Sequence, residues 1–335
     1  MQKNIAYLGI GAWGFCLASL LAKQGHLVKM WSHRSDIIQF LSSKKEHPKF
    51  PGVPISPNLS FSNDLTATLD SVDLIIESVS SQGIRPVCNQ IKDSITSLSC
   101  PFVLTSKGIE QDSQLLLSEI AQEILGPEST AFIGSLSGPS IAGEVMKGLP
   151  CSVVCSSYNP DILPLIQETF SSESFRVYPN ADIKGVELGG ALKNVIAIAA
   201  GISDGMNLGY NAKSGLVTRG LHEIRKLGRA LGCKDTTITG LSGMGDLCVT
   251  CFCGLSRNYS FGQLLAQGTT VESAKEQIGM VVEGAYTVVS AMQMAATHHI
   301  DMPIIKGIFN VIYKKQSSIH ALKLLLSREI KEEHL

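Results

Sequence analysis

The sequence predicts an α/β protein in which a doubly wound, mostly parallel sheet fills the N-terminal half and an all-helical part follows. Three observations carry this: β-rich runs alternating with amphipathic stretches up to about residue 184, a glycine triplet directly after the first of those runs, and a purely helical period from there on. With 335 residues the chain exceeds the size at which one core usually stops growing, so two domains are expected, 1–184 and 185–335.

Taken in order, the strand candidates are Asn4 to Leu8, Leu27 to Trp31, Val72 to Ile76, Phe102 to Thr105, Ala131 to Gly134, Ser152 to Cys155 and Phe175 to Tyr178. Alternation with helices marks βαβ units, whose crossovers place helices on both faces of the sheet. The later helices are expected at Gly185 to Ala200, Ala212 to Leu231, Tyr259 to Gln267, Val271 to Gln277, Glu283 to His298, Ile304 to Tyr313 and Ile319 to Leu326. No repeat and no low-complexity linker separates the halves, so the boundary is a change of period.

Bulk properties exclude several classes. A net charge of −1, with 44% hydrophobic and 17% charged residues, argues against disorder and against nucleic-acid binding through bulk charge. The nine cysteines are not preceded by a basic-then-apolar leader, which favours reduced thiols in a cytoplasmic setting. The most apolar stretch, Leu188 to Ser203, carries Lys193 near its middle and falls short of the roughly 20 residues of a membrane span, so none is expected.

The stretch "GIGAWG" places Gly9, Gly11 and Gly14 between a strand and an amphipathic helix running from Trp13 to Lys23. Gly9 would close the strand, Gly11 would let backbone approach a pyrophosphate, and Gly14 would let the helix pack on the sheet. That is a Rossmann-like dinucleotide site, with the helix N-terminus facing the phosphates; the plainer alternative is a tight turn. Where an acid would hold the ribose of NAD, the second strand ends in Ser32, His33 and Arg34. Arg34 and His33 suit a 2′-phosphate, or belong to a solvated loop, and Asp36 is placed to cap the next helix. NADP is expected to be accepted at least as well as NAD.

Three more features suggest chemistry. Lys107 in "SKGIE" follows a strand at its carboxyl end, where open α/β sheets bind ligands, although a solvated loop lysine looks the same. Lys193 sits in "ELGGALKNVIAIAAGIS", a helix apolar on nearly all sides, and must either snorkel or face a cavity. In a cavity, burial and a second cation would lower its pKa and make it a usable acid or base. Asp246 follows a glycine-rich turn, where it could cap a helix at Leu247. Ser256, Arg257 and Asn258 precede a helix and could form a phosphate site, or simply an N-cap beside a surface arginine. Cys248, Cys251 and Cys253 lack a second ligand pair at zinc spacing, so no metal is expected.

With these pieces in place, the chain resembles the bacterial NAD(P)-dependent glycerol-3-phosphate dehydrogenases over nearly its whole length. The motifs are "GIGAWG", "SKGIE", "SLSGPSIAGEV", "FRVYPNADIKGVELGGALKNVIAIAAGISDGMNLGYNAKSGLVTRG", "GLSGMGDLCVTC", "SRNYSFG" and "VVEGAYT". The resemblance implies a cytoplasmic homodimer that reduces dihydroxyacetone phosphate to sn-glycerol 3-phosphate, a phospholipid precursor, with NADP or NAD as cofactor.

It also implies roles for individual residues. Lys193 would be the proton donor and acceptor, Lys107 would touch substrate and cofactor, and Asp246 would join the catalytic network. Gly138, Ser140, Ser256, Arg257 and Asn258 would contact substrate, Arg257 lying near the cofactor as well. Ala142, Val281 and Glu283 would contact cofactor, with Trp13 and His33 lining its site. Two departures stand out: Ala12 replaces a serine common in the glycine loop, and Ser140 a threonine. The remaining alternatives are a non-catalytic NAD(P)-binding sensor or scaffold, and a related two-domain hydroxy-acid dehydrogenase.

Overall fold

In the computed structural model, which describes residues 1–330, 332 and 333, the chain forms two compact units. The first comprises Met1–Ser106 and Leu117–Ile183, the second Lys107–Leu116 and Lys184–Leu335. A single cut near residue 184 therefore leaves out one excursion, the ten-residue segment that begins with Lys107.

The first unit alternates β1 (Asn4–Leu8), α1 (Ala12–Lys23), β2 (Leu27–Trp31), α2 (Ser35–Lys44), β3 (Leu59–Ser62), α3 (Leu65–Leu69), β4 (Leu74–Glu77) and α4 (Ile84–Ser94). It continues with β5 (Phe102–Leu104), α5 (Leu117–Leu125), β6 (Ile133–Ser137), α6 (Ala142–Met146), β7 (Cys151–Ser157), α7 (Leu163–Phe170) and β8 (Phe175–Asn180). Among the described residues these strands make one eight-stranded sheet, in the order β3-β2-β1-β4-β5-β6-β7-β8. Every pairing is parallel except β6 with β7, which Gly134 to Ser137 and Val154 to Ser157 make antiparallel. Strand order reverses after β1, the place where such sheets open a crevice at the strands' carboxyl ends. β3 is a strand that the sequence reading does not contain: "LSFS" is short, half polar, and sits at an edge with only Leu59 buried. The core beneath includes Tyr7, Phe15, Phe170 and Phe175, all fully buried.

The second unit is helical: α8 (Ile183–Gly205), α9 (Gly209–Ala230), α10 (Asp235–Ile238), α11 (Asp246–Phe252), α12 (Arg257–Ala266), α13 (Val271–Ile278), α14 (Glu283–Thr297), α15 (Pro303–Tyr313) and α16 (Ser318–Leu326). α10 is absent from the sequence reading, and α11 enters it only as a helix that Asp246 could cap at Leu247, since each is shorter than the window in which a helical period shows.

At 23 residues α8 is longer than expected, and by length and composition it does suffice to cross a membrane. The expectation that this stretch is too short is corrected. Its most apolar window is entirely buried within the fold, where it supplies much of the core of the helical unit. Neighbouring helices approach its backbone through glycine. A Cβ on Gly262 of α12 would lie 2.1 Å from the Ile198 carbonyl, and one on Gly201 of α8 would lie 2.0 Å from the Tyr259 carbonyl. The two helices thus meet backbone to backbone.

Candidate active site

A buried charge cluster forms in the second unit where α8, α11 and the non-helical start of the excursion come together. α8 is buried on all sides, so the Lys193 side chain has no solvent to snorkel toward and is 7% exposed. Its Nζ donates to Asp246 Oδ1 at 2.8 Å and to Thr250 Oγ1 at 2.6 Å, leaving one of its three N–H groups for another acceptor. Lys107, at the start of the excursion, donates from Nζ to the other carboxylate oxygen of Asp246 at 2.6 Å. The Asp246 side chain is 2% exposed, so the cluster holds two cations on one buried carboxylate.

These charges tune one another. Burial pulls the Lys193 ammonium down to about 8, with Lys107 adding to the fall and the Asp246 carboxylate opposing it. For Asp246 burial alone would favour the neutral acid. The two lysines and their hydrogen bonds outweigh it and hold the carboxyl below the usual range.

Asp246 does not cap a helix at Leu247, as its position suggested. A π-type turn, Leu241–Gly245, leads directly into α11, so Asp246 is already helical and its carboxylate is free to turn toward the lysines. Thr250, four residues on and so on the same helix face, donates back to the Asp246 carbonyl at 2.6 Å while accepting from Lys193. Sequence reasoning missed Thr250, and an i, i+4 pairing would have pointed to it had the helix been read as starting at Asp246.

Next to this cluster in the chain stands the start of α12. Ser256 is its N-cap, with Oγ accepting from the Tyr259 N–H at 3.3 Å. Arg257 is exposed, and its Nη1 donates to the Val281 carbonyl at 2.9 Å, with the Glu283 carboxylate as a neighbouring opposite charge. Asn258 is buried and partly committed to the fold: Oδ1 accepts from the Gly284 N–H at 2.9 Å and Nδ2 donates to Asn194 Oδ1 at 3.0 Å. One N–H of its amide remains. Asn194, adjacent to Lys193, is a second residue the sequence reading passed over.

The first unit supplies the glycine loop at the end of β1. Gly9 has a φ of +109°, and a Cβ there would sit 2.7 Å from the Ser78 carbonyl. Gly14 faces the Gly9 carbonyl, which an added Cβ would meet at 2.6 Å, so α1 packs tightly against the strand. Gly11 differs from both: nothing lies within 4 Å of a Cβ built on it. It is the N-cap of α1, with no side chain capping the helix and no acid in the first turn. The open space and uncapped N–H groups fit a pyrophosphate. Ala12 and Trp13 begin α1 and are half-buried.

At the end of β2, His33 is exposed and its ring lies 6.3 Å from that of Trp31. The expectation that Asp36 caps α2 is corrected, because the N-cap position is Arg34 and no side chain fills the role. Asp36 instead forms a two-bond pair with Arg34, Nε to Oδ1 at 3.1 Å and Nη2 to Oδ2 at 2.5 Å, which ties the guanidinium down. In the same unit Gly138 follows β6 with a φ of +152°, its carbonyl accepts from Ser140 Oγ at 3.0 Å, and Ala142 opens α6. His47, also absent from the sequence reading, stacks on Phe15 with centroids 4.6 Å apart and places Nε2 3.2 Å from the Ile10 carbonyl inside the glycine loop.

Among the described residues no group of three or more His, Cys, Asp or Glu side chains is arranged to hold a metal. Cys251 is buried and its thiol is pushed up to about 12 by burial; Cys248 and Cys253 are half-buried.

Comparison with known proteins assigns both halves. Residues 4–163 match the model of the NAD-dependent glycerol-3-phosphate dehydrogenase N-terminus, and residues 182–323 match that of its C-terminus. A glycerol-3-phosphate dehydrogenase [NAD(P)+] of Chlamydia caviae is 58% identical over 335 residues, covering all of both chains. The chain belongs to the NAD(P)-dependent glycerol-3-phosphate dehydrogenase family. A Chlamydia pneumoniae relative of the same name is also 58% identical over the full length of both chains. The crystal structure of glycerol-3-phosphate dehydrogenase from Coxiella burnetii superposes on this dehydrogenase with a TM-score of 0.92 at 36% identity, covering 98% of this chain and 99% of that one. The sensor or scaffold reading gives way to an enzyme that uses NAD(P).

Proposed function

We propose that this dehydrogenase interconverts dihydroxyacetone phosphate and sn-glycerol 3-phosphate, with Lys193 as the group that gives and takes the proton. The observation that carries this reading is the Lys193–Asp246–Lys107 cluster. It holds a buried ammonium poised near neutrality with one N–H uncommitted.

When bound, the nicotinamide supplies the hydride that reduces the ketone carbon. Lys193 would hold its proton at Nζ and pass it to the developing alkoxide, while Lys107 lends positive charge to the same oxygen. Asp246 orients both ammonium groups and keeps Lys193 protonated in the reducing direction, since a nearby carboxylate favours the charged form. The substrate phosphate would rest on Arg257, the remaining N–H of Asn258 and the helix end that Ser256 caps, fixing the carbonyl for attack. Gly138 and Ser140 complete the proposed substrate contacts. Gly9, Gly11, Ala12, Trp13 and Gly14 would hold the pyrophosphate, with His33 and Arg34 toward the ribose and Lys107, Ala142, Arg257, Val281 and Glu283 as further cofactor contacts.

Residues 1–184 would then be the dinucleotide-binding domain and 185–335 the substrate domain, the latter joined by the Lys107–Leu116 excursion. A cytoplasmic homodimer belongs to the same proposal, and the complete burial of the apolar window of α8 supports the absence of a membrane span there. NADPH is expected to serve at least as well as NADH. The test follows NADPH and NADH absorbance separately with dihydroxyacetone phosphate, wild type beside Lys193→Ala. Near-normal turnover by a folded, NADPH-binding Lys193→Ala protein would overturn the assignment.

A further inference from the structure

The helical unit contains a second ion pair, a buried lysine on a partly buried carboxylate, which the reaction above does not use. Lys213 of α9 is 4% exposed, and its Nζ donates to Asp204 Oδ2, near the end of α8, at 2.6 Å. Three aromatic rings wall the ammonium: Phe252 with its centroid 4.9 Å away, Tyr210 at 5.6 Å and Tyr259 at 5.7 Å. The Tyr259 hydroxyl donates to Asp204 Oδ2 as well, so one carboxylate oxygen gathers a lysine and a phenol.

Two of these partners bracket one short turn. Phe252 ends α11, the helix that begins with Asp246 and carries Thr250. Tyr259 stands in the first turn of α12, directly after Ser256, Arg257 and Asn258. Between them run Cys253 to Ser256, with Gly254 and Leu255 exposed, so the turn has little packing of its own. Tyr259 is held at both ends, its carbonyl against Gly201 of α8 and its hydroxyl on Asp204. Its N–H also supplies the hydrogen bond that seats the Ser256 cap.

Stability alone is a weak reason for such a cluster, because apolar residues of equal volume often serve as well as a buried ion pair. What directional bonds add is geometry: an ammonium, a carboxylate and a phenol fix angles that three apolar side chains would let slide.

We propose that Lys213, Asp204 and Tyr259 are positioning residues that fix the first turn of α12, and with it Arg257 and Asn258, for the phosphate of the substrate. The proposal rests on the reading of Ser256 to Asn258 as the phosphate site, and it assigns the cluster to phosphate recognition rather than to proton transfer.

The test compares Lys213→Met, Tyr259→Phe and, as a control, Arg257→Ala on dihydroxyacetone phosphate and on dihydroxyacetone, which lacks the phosphate. For Lys213→Met and Tyr259→Phe, kcat/KM on dihydroxyacetone phosphate should fall about tenfold, chiefly through KM. On dihydroxyacetone it should stay within about twofold, with the KM for NADPH unmoved. Equal losses on both substrates, or no loss on either, would overturn the proposal. Tyr259→Phe is nearly isosteric and decides the matter by itself where Lys213→Met does not fold. Arg257→Ala separates the two readings. If it too loses equally on both substrates, the phosphate site is misplaced. If it discriminates while Tyr259→Phe does not, only the positioning role fails.

Discussion

Lys193 Nζ and Asp246 Oδ1 lie 2.8 Å apart with both side chains almost wholly buried, so neither can change charge without the other responding. Removing the carboxylate while keeping its shape, Asp246→Asn, should leave Lys193 beside Lys107 with nothing to balance burial, and its pKa should drop further below 8. Reduction needs the protonated amine. The rate of ketone reduction in wild type should therefore fall as pH rises through about 8, and the fall should come at lower pH in the variant. A loss of about 10²–10⁴-fold in kcat at neutral pH should accompany it. Paired pH profiles of kcat/KM check both, and superimposable alkaline limbs would contradict the coupling.

The two helix-loop glycines should separate binding from folding. Gly11→Ala places a Cβ where nothing lies within 4 Å and at a φ of −76°, which any residue adopts, so the Tm should be unchanged. Binding of NADPH should nevertheless weaken by about tenfold or more, because the methyl group enters the space proposed for the pyrophosphate. Gly14→Ala should do the reverse in order of severity, since its Cβ would collide with the Gly9 carbonyl and unsettle the strand-to-helix junction before any ligand is added. Thermal melts with and without NADPH distinguish the two.

Arg34 is engaged by Asp36, and that bears on which cofactor is preferred. Asp36→Ala releases the guanidinium, so the ratio of NADPH to NADH affinity should rise about two- to fivefold, an amount typical of breaking an exposed ion pair. Fluorescence titration of each nucleotide measures the ratio. An unchanged ratio would remove Arg34 from the ribose end of the site.

Glu223 provides a stability signature independent of catalysis. Its carboxylate, 3% exposed, accepts from the Ile304 N–H at 2.7 Å and the Ile305 N–H at 3.1 Å, capping α15. Burial pushes this carboxyl up from 4.5 to about 7; the Ile304 and Ile305 N–H groups and Lys226 work against the rise, and Asp301 adds to it. Across that interval the folded protein holds a proton that the unfolded chain releases. Stability contributed at low pH is therefore lost as pH rises from about 4.5 toward 7, by up to about 3 kcal/mol. Glu223→Gln keeps an acceptor but cannot titrate, so the difference in urea midpoint between wild type and variant should change sharply over that window. A constant difference would show that the carboxyl is charged throughout.

At the crossing of α8 and α12, Gly262→Ala would drive a Cβ to 2.1 Å from the Ile198 carbonyl. The helices must separate, at a cost of about 1–3 kcal/mol or more, and the Asn194–Asn258 hydrogen bond at 3.0 Å should be strained with them. Urea unfolding reads the first effect, and a rise in KM for dihydroxyacetone phosphate reads the second.

Much of this architecture was legible in the residues. β1 and β2 coincide with the expected runs because each is mainly apolar, β2 being interrupted only by Lys29, and each ends at a glycine or polar break. Lys193 stood out as a single charge in an apolar helix, and Lys107 and Asp246 by their places after a strand and a glycine-rich turn. What could not be read was the partnering. Nothing in "GMGDLCVTC" announces that Asp246 is already inside a helix, because a π-type turn has no sequence period, and Thr250 was lost with it. The excursion that places Lys107 in the helical unit is a tertiary fact, fixed by Ile109 and Leu116 packing into the helical core. The length of α8 escaped because its final residues, Ile202 to Gly205, are half polar, and only the surrounding helices decide that they stay helical.

α8 also has a history during synthesis. Its covering helices, α9, α12 and α14, all follow it in the chain, with α14 starting only at Glu283. At ribosomal rates of about 5–20 residues per second, an apolar helix long enough for a bilayer waits on the order of 4–16 s for its last neighbour. During those seconds the same segment that later supports a buried lysine exposes apolar surface that the finished fold covers completely. The glycine-lined crossings let each later helix, once made, seat directly against its backbone and end that exposure.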